Sequence, residues 1–255
     1  MNAMLPTEFL TRPIAHRALH DASDGRPENS RAAVNAALEH GYGIEIDVQL
    51  TSDVQAAVFH DYALGRMTGR KGLVRERSMP ELASIALEGS SETIPDLAEV
   101  LGLVAGRVPL LIEIKDWDGT FGPDVGFLEG AVAKALAGYD GPAAVMSFNP
   151  HSVAVMRTLA PGVPRGLVTC AFCETEWPMP KARRTELAEI PDYERASASF
   201  ISHDIRDLER ARVLELKQRG ASVLCWTVRS VEEERRARAI AANVTFEGYL
   251  PDFAD

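Results

Sequence analysis

Short apolar runs alternate with longer segments whose apolar residues recur three or four positions apart, from Ile14 to Phe246. Runs such as Ala143–Ser147, Arg165–Cys170 and Val223–Val228 read as strands buried on both faces. Segments such as Arg31–His40, with Val34 and Leu38 four apart, and Val125–Gly138 read as helices. The punctuation agrees with this reading. Ser30 can cap the first of these helices and Gly41 can stop it, while Asn149 caps another that carries Pro150 in its first turn. Pro95 is expected to open a helix through Leu97, Val100 and Leu101, and a further helix is expected to run from Asp207 to Gly220. Ser230 and Glu233 have the spacing of a capping box, followed by the pairs Glu232–Arg236 and Glu234–Arg238.

About eight such strand and helix units, with no composition break or short repeat, predict an α/β chain folded as a (β/α)8 TIM barrel in a single domain over residues 1–255. No G-x-G-x-x-G turn supports a doubly wound sheet instead. The looser stretch from Tyr62 to Thr93, with Arg66, Arg70, Lys71, Arg75 and Arg77, reads as a small insertion after the second strand with a short helix near Pro80 to Leu87. After the last strand, Val244–Phe246, little chain follows, so a short or missing eighth helix is expected, compensated by the amino-terminal segment.

The charged positions change the picture most at Gly43-Ile44-Glu45-Ile46-Asp47-Val48. Residues two apart in a strand share a face, so Glu45 and Asp47 point together while Ile44, Ile46 and Val48 pack on the other side. Two adjacent carboxylates repel each other and resist burial unless a cation lies between them. The pattern recurs at Leu111-Ile112-Glu113-Ile114-Lys115, which sets an acid and a lysine on one face. Barrel enzymes carry their chemistry at the carboxyl ends of the strands. By that rule His16, Arg17, Glu45, Asp47, His60, Glu113, Lys115, Ser147, His203 and Trp226 converge on one mouth, with Trp226 a wall of the substrate pocket.

Composition narrows the partners. The 255 residues are 46% hydrophobic and carry a formal net charge of −10 with a pI near 5.2. That sign disfavours nucleic acid and anionic membranes. No apolar run approaches the length of a membrane span and no leader-like block precedes Pro13, so a cytoplasmic chain without stable membrane insertion is expected. The odd count of three cysteines fits a reducing compartment, and Cys170, Cys173 and Cys225 read as packing residues.

The series His16-Arg17, Glu28-Asn29, Glu45-x-Asp47-Val48, His60-Asp61, Ile94-Pro95-Asp96-Leu97-Ala98-Glu99-Val100-Leu101, Glu113-x-Lys115, Ser147-Phe148 and Trp226-Thr227-Val228 resembles the glycerophosphodiester phosphodiesterases, in register from Ile14 to Pro251. The resemblance implies a TIM barrel that hydrolyses a small-molecule glycerophosphodiester to sn-glycerol 3-phosphate and an alcohol. It also implies a divalent cation, magnesium or calcium with manganese as an option, held by Glu45, Asp47 and Glu113, and a general acid/base pair formed by His16 and His60. Arg17 and Lys115 would then neutralise phosphate charge. Two departures from the family pattern stand out: Val54 where a glycine is usual, and Phe246-Glu247-Gly248-Tyr249 in place of a Thr-Asp pattern. The alternatives are a lipid-cleaving phosphodiesterase of the same barrel superfamily and a non-catalytic barrel that binds a phosphorylated metabolite.

Overall fold

Eight parallel strands close on themselves, because the first and shortest pairs with both the second and the last. The computed structural model describes residues 3–253. In chain order the strands are β1 (Ile14–Ala15), β2 (Gly43–Leu50), β3 (Ala56–Val58), β4 (Leu110–Ile114), β5 (Ala143–Ser147), β6 (Arg165–Thr169), β7 (Phe200–Asp204), β8 (Ser222–Val228) and β9 (Asn243–Phe246). All belong to the barrel wall except β3, which folds back antiparallel on the end of β2 with Val48 opposite Val58. The helices are α1 (Glu8–Thr11), α2 (Arg31–His40), α3 (Gly65–Thr68), α4 (Met79–Leu82), α5 (Leu97–Val104), α6 (Phe127–Leu136), α7 (Pro150–Leu159), α8 (Lys181–Ala188), α9 (Ala211–Gln218) and α10 (Val231–Ala237).

The alternation along β2 and β4 sorts side chains between two cores. Ile44, Ile46, Val48, Ile112 and Ile114 pack outward against Val34, Leu97, Val100 and Leu128 of the surrounding helices. Leu111, Met146, Val168, Phe200 and Leu224 fill the inside, closed from below by Leu5 and by Phe9 of α1. Gly166 of β6 makes room there: a Cβ at this position would lie 2.3 Å from the Phe200 ring. With the lower interior packed by apolar residues, Glu45, Asp47 and Glu113 fall in the layer above it.

No helix follows β9 among the described residues. The amino-terminal segment compensates from beneath: the Asn243 amide donates to the carbonyls of Phe9 (2.8 Å) and Arg12 (2.6 Å). Outside, Tyr42 packs between Phe246 and Phe253 and donates its hydroxyl to the Pro251 carbonyl at 2.8 Å. Between β3 and α5, the segment 62–93 carries α3, α4 and a 3-10 turn, with Leu64, Val74, Leu82 and Leu87 packed on Ala57 and Phe59.

Several local expectations need correction. Asp96, not Pro95, caps α5, its carboxylate accepting the Glu99 N–H at 2.7 Å. The helix expected from Asp207 breaks into a 3-10 turn, Ile205–Asp207, and α9, because Asp207 gives its carbonyl to His203 and its carboxylate to Arg210. Ser230 caps α10, yet Glu233 reaches back to the Arg229 N–H and Glu232 pairs with Arg235. Cys170 and Cys225 are buried thiols that burial pushes up to about 12, whereas Cys173 is exposed.

Candidate active site

Glu45 and Asp47 rise from the inner face of β2, and the parallel register sets Asp47 directly beside Glu113 of β4. One carboxylate oxygen from each of the three lies within 4.8 Å of the others. Their exposures are 1%, 1% and 7%, so water does little to separate their charges. The protein supplies its own counter-charges. Lys115 Nζ sits 2.7 Å from Asp47 Oδ1 and 2.6 Å from Glu113 Oε1. The Arg17 N–H donates to Glu45 Oε2 at 2.8 Å, and Asn29 both donates to Asp47 Oδ2 (2.9 Å) and accepts the Asp47 N–H (3.1 Å).

These contacts require Arg17, Ala18 and Asn29 to adopt φ of +52°, +64° and +59°, a left-handed backbone that non-glycine residues avoid. Such strain persists where surrounding contacts over-determine it, and here the acid cluster does so. The electrostatics split the acids. Burial, reinforced by Asp47 and Glu113, raises the Glu45 pKa well above 4.5. Burial also opposes ionisation of Asp47, but Lys115, His60 and Arg17 outweigh it and hold that carboxyl well below its ordinary range. Three convergent carboxylates suit a hard divalent cation, since such ions take oxygen ligands.

Each histidine of interest is tied to an acid through Nδ1. His16, just after β1, lies 2.6 Å from Glu247 Oε2, and Arg229 pairs with the other Glu247 oxygen at 2.7 Å. His60, just after β3, lies 2.7 Å from Asp61 Oδ1. Arg66 binds Asp61 and Glu28 together, and Glu28 accepts from Arg17 at 3.0 Å. A single chain of ion pairs therefore runs from His60 to Arg17. Burial lowers the His16 pKa below 6.5, with Glu247 opposing the shift. Both rings keep Nε2 without a protein partner among the described residues, the arrangement a proton-transferring imidazole needs.

A cavity of about 530 Å³ opens beside the acids, lined by His60, Glu113, Lys115, Phe148, Trp177 and Trp226 among others. Trp226 forms part of its wall, with the indole N–H held by the Ser202 carbonyl at 2.9 Å. Two residues expected at the mouth are used elsewhere. Ser147 donates to the Ile114 carbonyl at 2.7 Å. His203 is fully buried and bonded to Thr169 Oγ1 at 2.7 Å and the Asp207 carbonyl at 3.2 Å. Conversely, Glu247 and Trp177 enter the site without a motif of their own. The Phe246-Glu247 departure and the Trp177-Pro178-Met179-Pro180 loop were their only signals.

The family model described as the glycerophosphoryl diester phosphodiesterase family matches residues 16–245. A glycerophosphodiester phosphodiesterase of Caldanaerobacter subterraneus subsp. tengcongensis is 32% identical over 237 residues, covering 89% of each chain. The solved structure of an Oleispira antarctica phosphodiesterase in complex with the product sn-glycerol-3-phosphate superposes with a TM-score of 0.76 at 25% identity, covering 94% of this chain and 93% of that one. A Thermotoga maritima glycerophosphodiester phosphodiesterase shares the fold with a TM-score of 0.67 at 21% identity, covering 91% of this chain and 92% of that one.

Proposed function

Given that this chain belongs to the glycerophosphoryl diester phosphodiesterase family, and so to the phosphoric diester hydrolases, we propose that it hydrolyses glycerophosphodiesters to sn-glycerol 3-phosphate and an alcohol. In this reading it uses a divalent cation and the pair His16 and His60. The observation that carries the proposal is the convergence of Glu45, Asp47 and Glu113 within 4.8 Å beside two histidines each anchored by a carboxylate. The product held by the Oleispira relative is consistent with the same substrate class.

A phosphodiester resists attack because its anionic oxygens repel nucleophiles, and hydrolysis crowds further charge around phosphorus. Glu45, Asp47 and Glu113 would hold the cation, magnesium, calcium or manganese, which when bound supplies Lewis-acid neutralisation of that charge. Arg17 and Lys115 add fixed positive charge at the same edge. Their carboxylate partners orient them, so little reorganisation accompanies reaction. One imidazole Nε2 takes the proton of the attacking hydroxyl and the other delivers a proton to the departing alkoxide oxygen. Water as attacker gives sn-glycerol 3-phosphate directly, and the glycerol arm as attacker gives a cyclic phosphate that water then opens with the same pair in exchanged roles. Glu247 and Asp61 fix the rings so that Nδ1 carries the hydrogen and Nε2 faces the substrate.

The direct test is His16→Ala and His60→Ala, assayed for sn-glycerol 3-phosphate released from glycerophosphoethanolamine. Each should lose roughly 10²–10⁴-fold in kcat. Undiminished activity in both would remove the proposed acid/base pair.

A further inference from the structure

Resting on the phosphodiesterase reading of this same cavity, we propose that Phe121, Phe148, Trp177 and Trp226 form a subsite for an apolar arm of the phosphodiester. Preferred substrates then carry an alkyl or aryl body on one of the two arms of the phosphodiester. All four side chains line the cavity that also reaches His60, Glu113 and Lys115. The wall therefore begins where the phosphate would be held.

The rings touch one another along one side of the cavity lining. Phe148 lies 4.7 Å from Trp177, 5.7 Å from Trp226 and 6.1 Å from Phe121, which is itself 5.4 Å from Trp177. Centroids 4.5–7 Å apart are rings in mutual contact. Contiguous rings offer a broad apolar surface to a chain or a flat ring.

The nearby acids give a cationic head group little to bind. Glu176 is clamped by Arg206 at 2.6 and 2.8 Å. Asp61 is shared between His60 and Arg66. Asp116 accepts the Phe121 N–H at 2.9 Å and the Asn149 amide at 2.6 Å, and burial raises its pKa above 3.8.

The wall is also built at a cost. Phe121 holds φ of +55°, a conformation in which a bulky residue is strained. It is kept there from both sides, by Asp116 on its N–H and by Arg183 of α8 on its carbonyl at 3.0 Å. That second bond ties the loop after β4 to α8, which follows the loop that delivers Trp177. The two bonds fix this part of the aromatic wall in place.

The experiment uses the full chain with magnesium, calcium and manganese each supplied in turn and follows products by phosphorus NMR. Substrates are the ethanolamine, choline, hexyl and benzyl esters of glycerol 3-phosphate, and glycerophosphoethanolamine bearing a hexanoyl chain on glycerol. We expect kcat/KM at least tenfold higher for an apolar substrate than for the ethanolamine ester, with gains of about two- to fourfold per methylene. Preference for the hexyl and benzyl esters places the apolar arm on the leaving alcohol, and preference for the hexanoyl compound places it on glycerol. Either supports the subsite. In Trp177→Ala the apolar-to-ethanolamine ratio should fall at least fivefold, and Trp177→Phe should recover part of it. Equal or lower kcat/KM for all apolar substrates, with the ethanolamine ester still cleaved, would overturn the subsite and leave the phosphodiesterase reading intact. A choline preference abolished in Trp177→Ala would overturn it in favour of a cation site. No cleavage of any ester would defeat both readings.

Discussion

His16 Nδ1 and Glu247 Oε2 meet at 2.6 Å across 231 positions of sequence because β1 closes the barrel against β9. The carboxylate fixes the imidazole tautomer and stabilises its protonated form. Glu247→Gln keeps the shape but removes that charge. We expect kcat to fall by up to roughly 10⁴-fold, the scale of neutralising the carboxylate behind a catalytic imidazole. Since Glu247 raises a His16 pKa that burial lowers, its loss lowers the value further. The pH–rate limb controlled by His16 should therefore move to lower pH, whether His16 acts as base or as acid. An unchanged pH profile would show that Glu247 has only a packing role.

Glu45 links the acid cluster to stability. Its folded-state pKa is raised above 4.5, chiefly by burial. A group raised on folding contributes stability in full below its unfolded value, and that contribution is lost as pH climbs through the folded value. Cation-free protein should thus weaken as pH rises above the carboxylate range, and Glu45→Gln should abolish this part of the pH dependence. Added magnesium or calcium should raise the wild-type melting temperature, by about 2.7 kcal/mol of stability at a hundredfold excess over Kd. Differential scanning calorimetry with and without cation, at two pH values, reads both effects.

Lys115 neutralises Asp47 and Glu113 from within hydrogen-bond distance of each. Lys115→Met leaves two buried carboxylates facing each other. Breaking a buried pair in this way costs roughly 3–5 kcal/mol. Denaturant unfolding should register that loss in cation-free protein, with partial recovery when a divalent cation is added. Activity should remain low even with the cation, because the substrate-side positive charge is gone.

Val54 tests the turn after β2. It holds φ of +58° while exposed, where its side chain gains little from packing. A left-handed conformation costs an ordinary residue roughly 1–2 kcal/mol. The glycine usual at this position would relieve the strain and give back part in unfolded-state entropy. Val54→Gly should raise the melting temperature by about 2–4 °C without altering kcat. A lower melting temperature would contradict this account of the turn.

The parts legible in sequence are those written locally. Glu45 and Asp47 declare a shared face by their spacing, Glu113 repeats the pattern, and Ser30 and Gly41 bracket α2 with standard caps. The partners of His16 and the wall around Trp177 were not legible in that way. Glu247 reaches His16 only through barrel closure, and Phe121 meets Trp177 where Arg183 of α8 ties the two segments together. His203 misled for the opposite reason. It sits on β7 like a mouth residue, but Thr169 and Asp207 satisfy both ring nitrogens and hold it in the wall.

In the function proposed above, the Glu45–Asp47–Glu113 cluster and the two histidines perform cation-dependent cleavage of a glycerophosphodiester. The most direct measurement is enzyme-coupled detection of sn-glycerol 3-phosphate after exhaustive chelation, with magnesium, calcium or manganese then added back. We expect negligible release in chelator and restored turnover with at least one cation, with restoration lost in Asp47→Asn. Full turnover in the presence of chelator, or no sn-glycerol 3-phosphate with any cation, would contradict it.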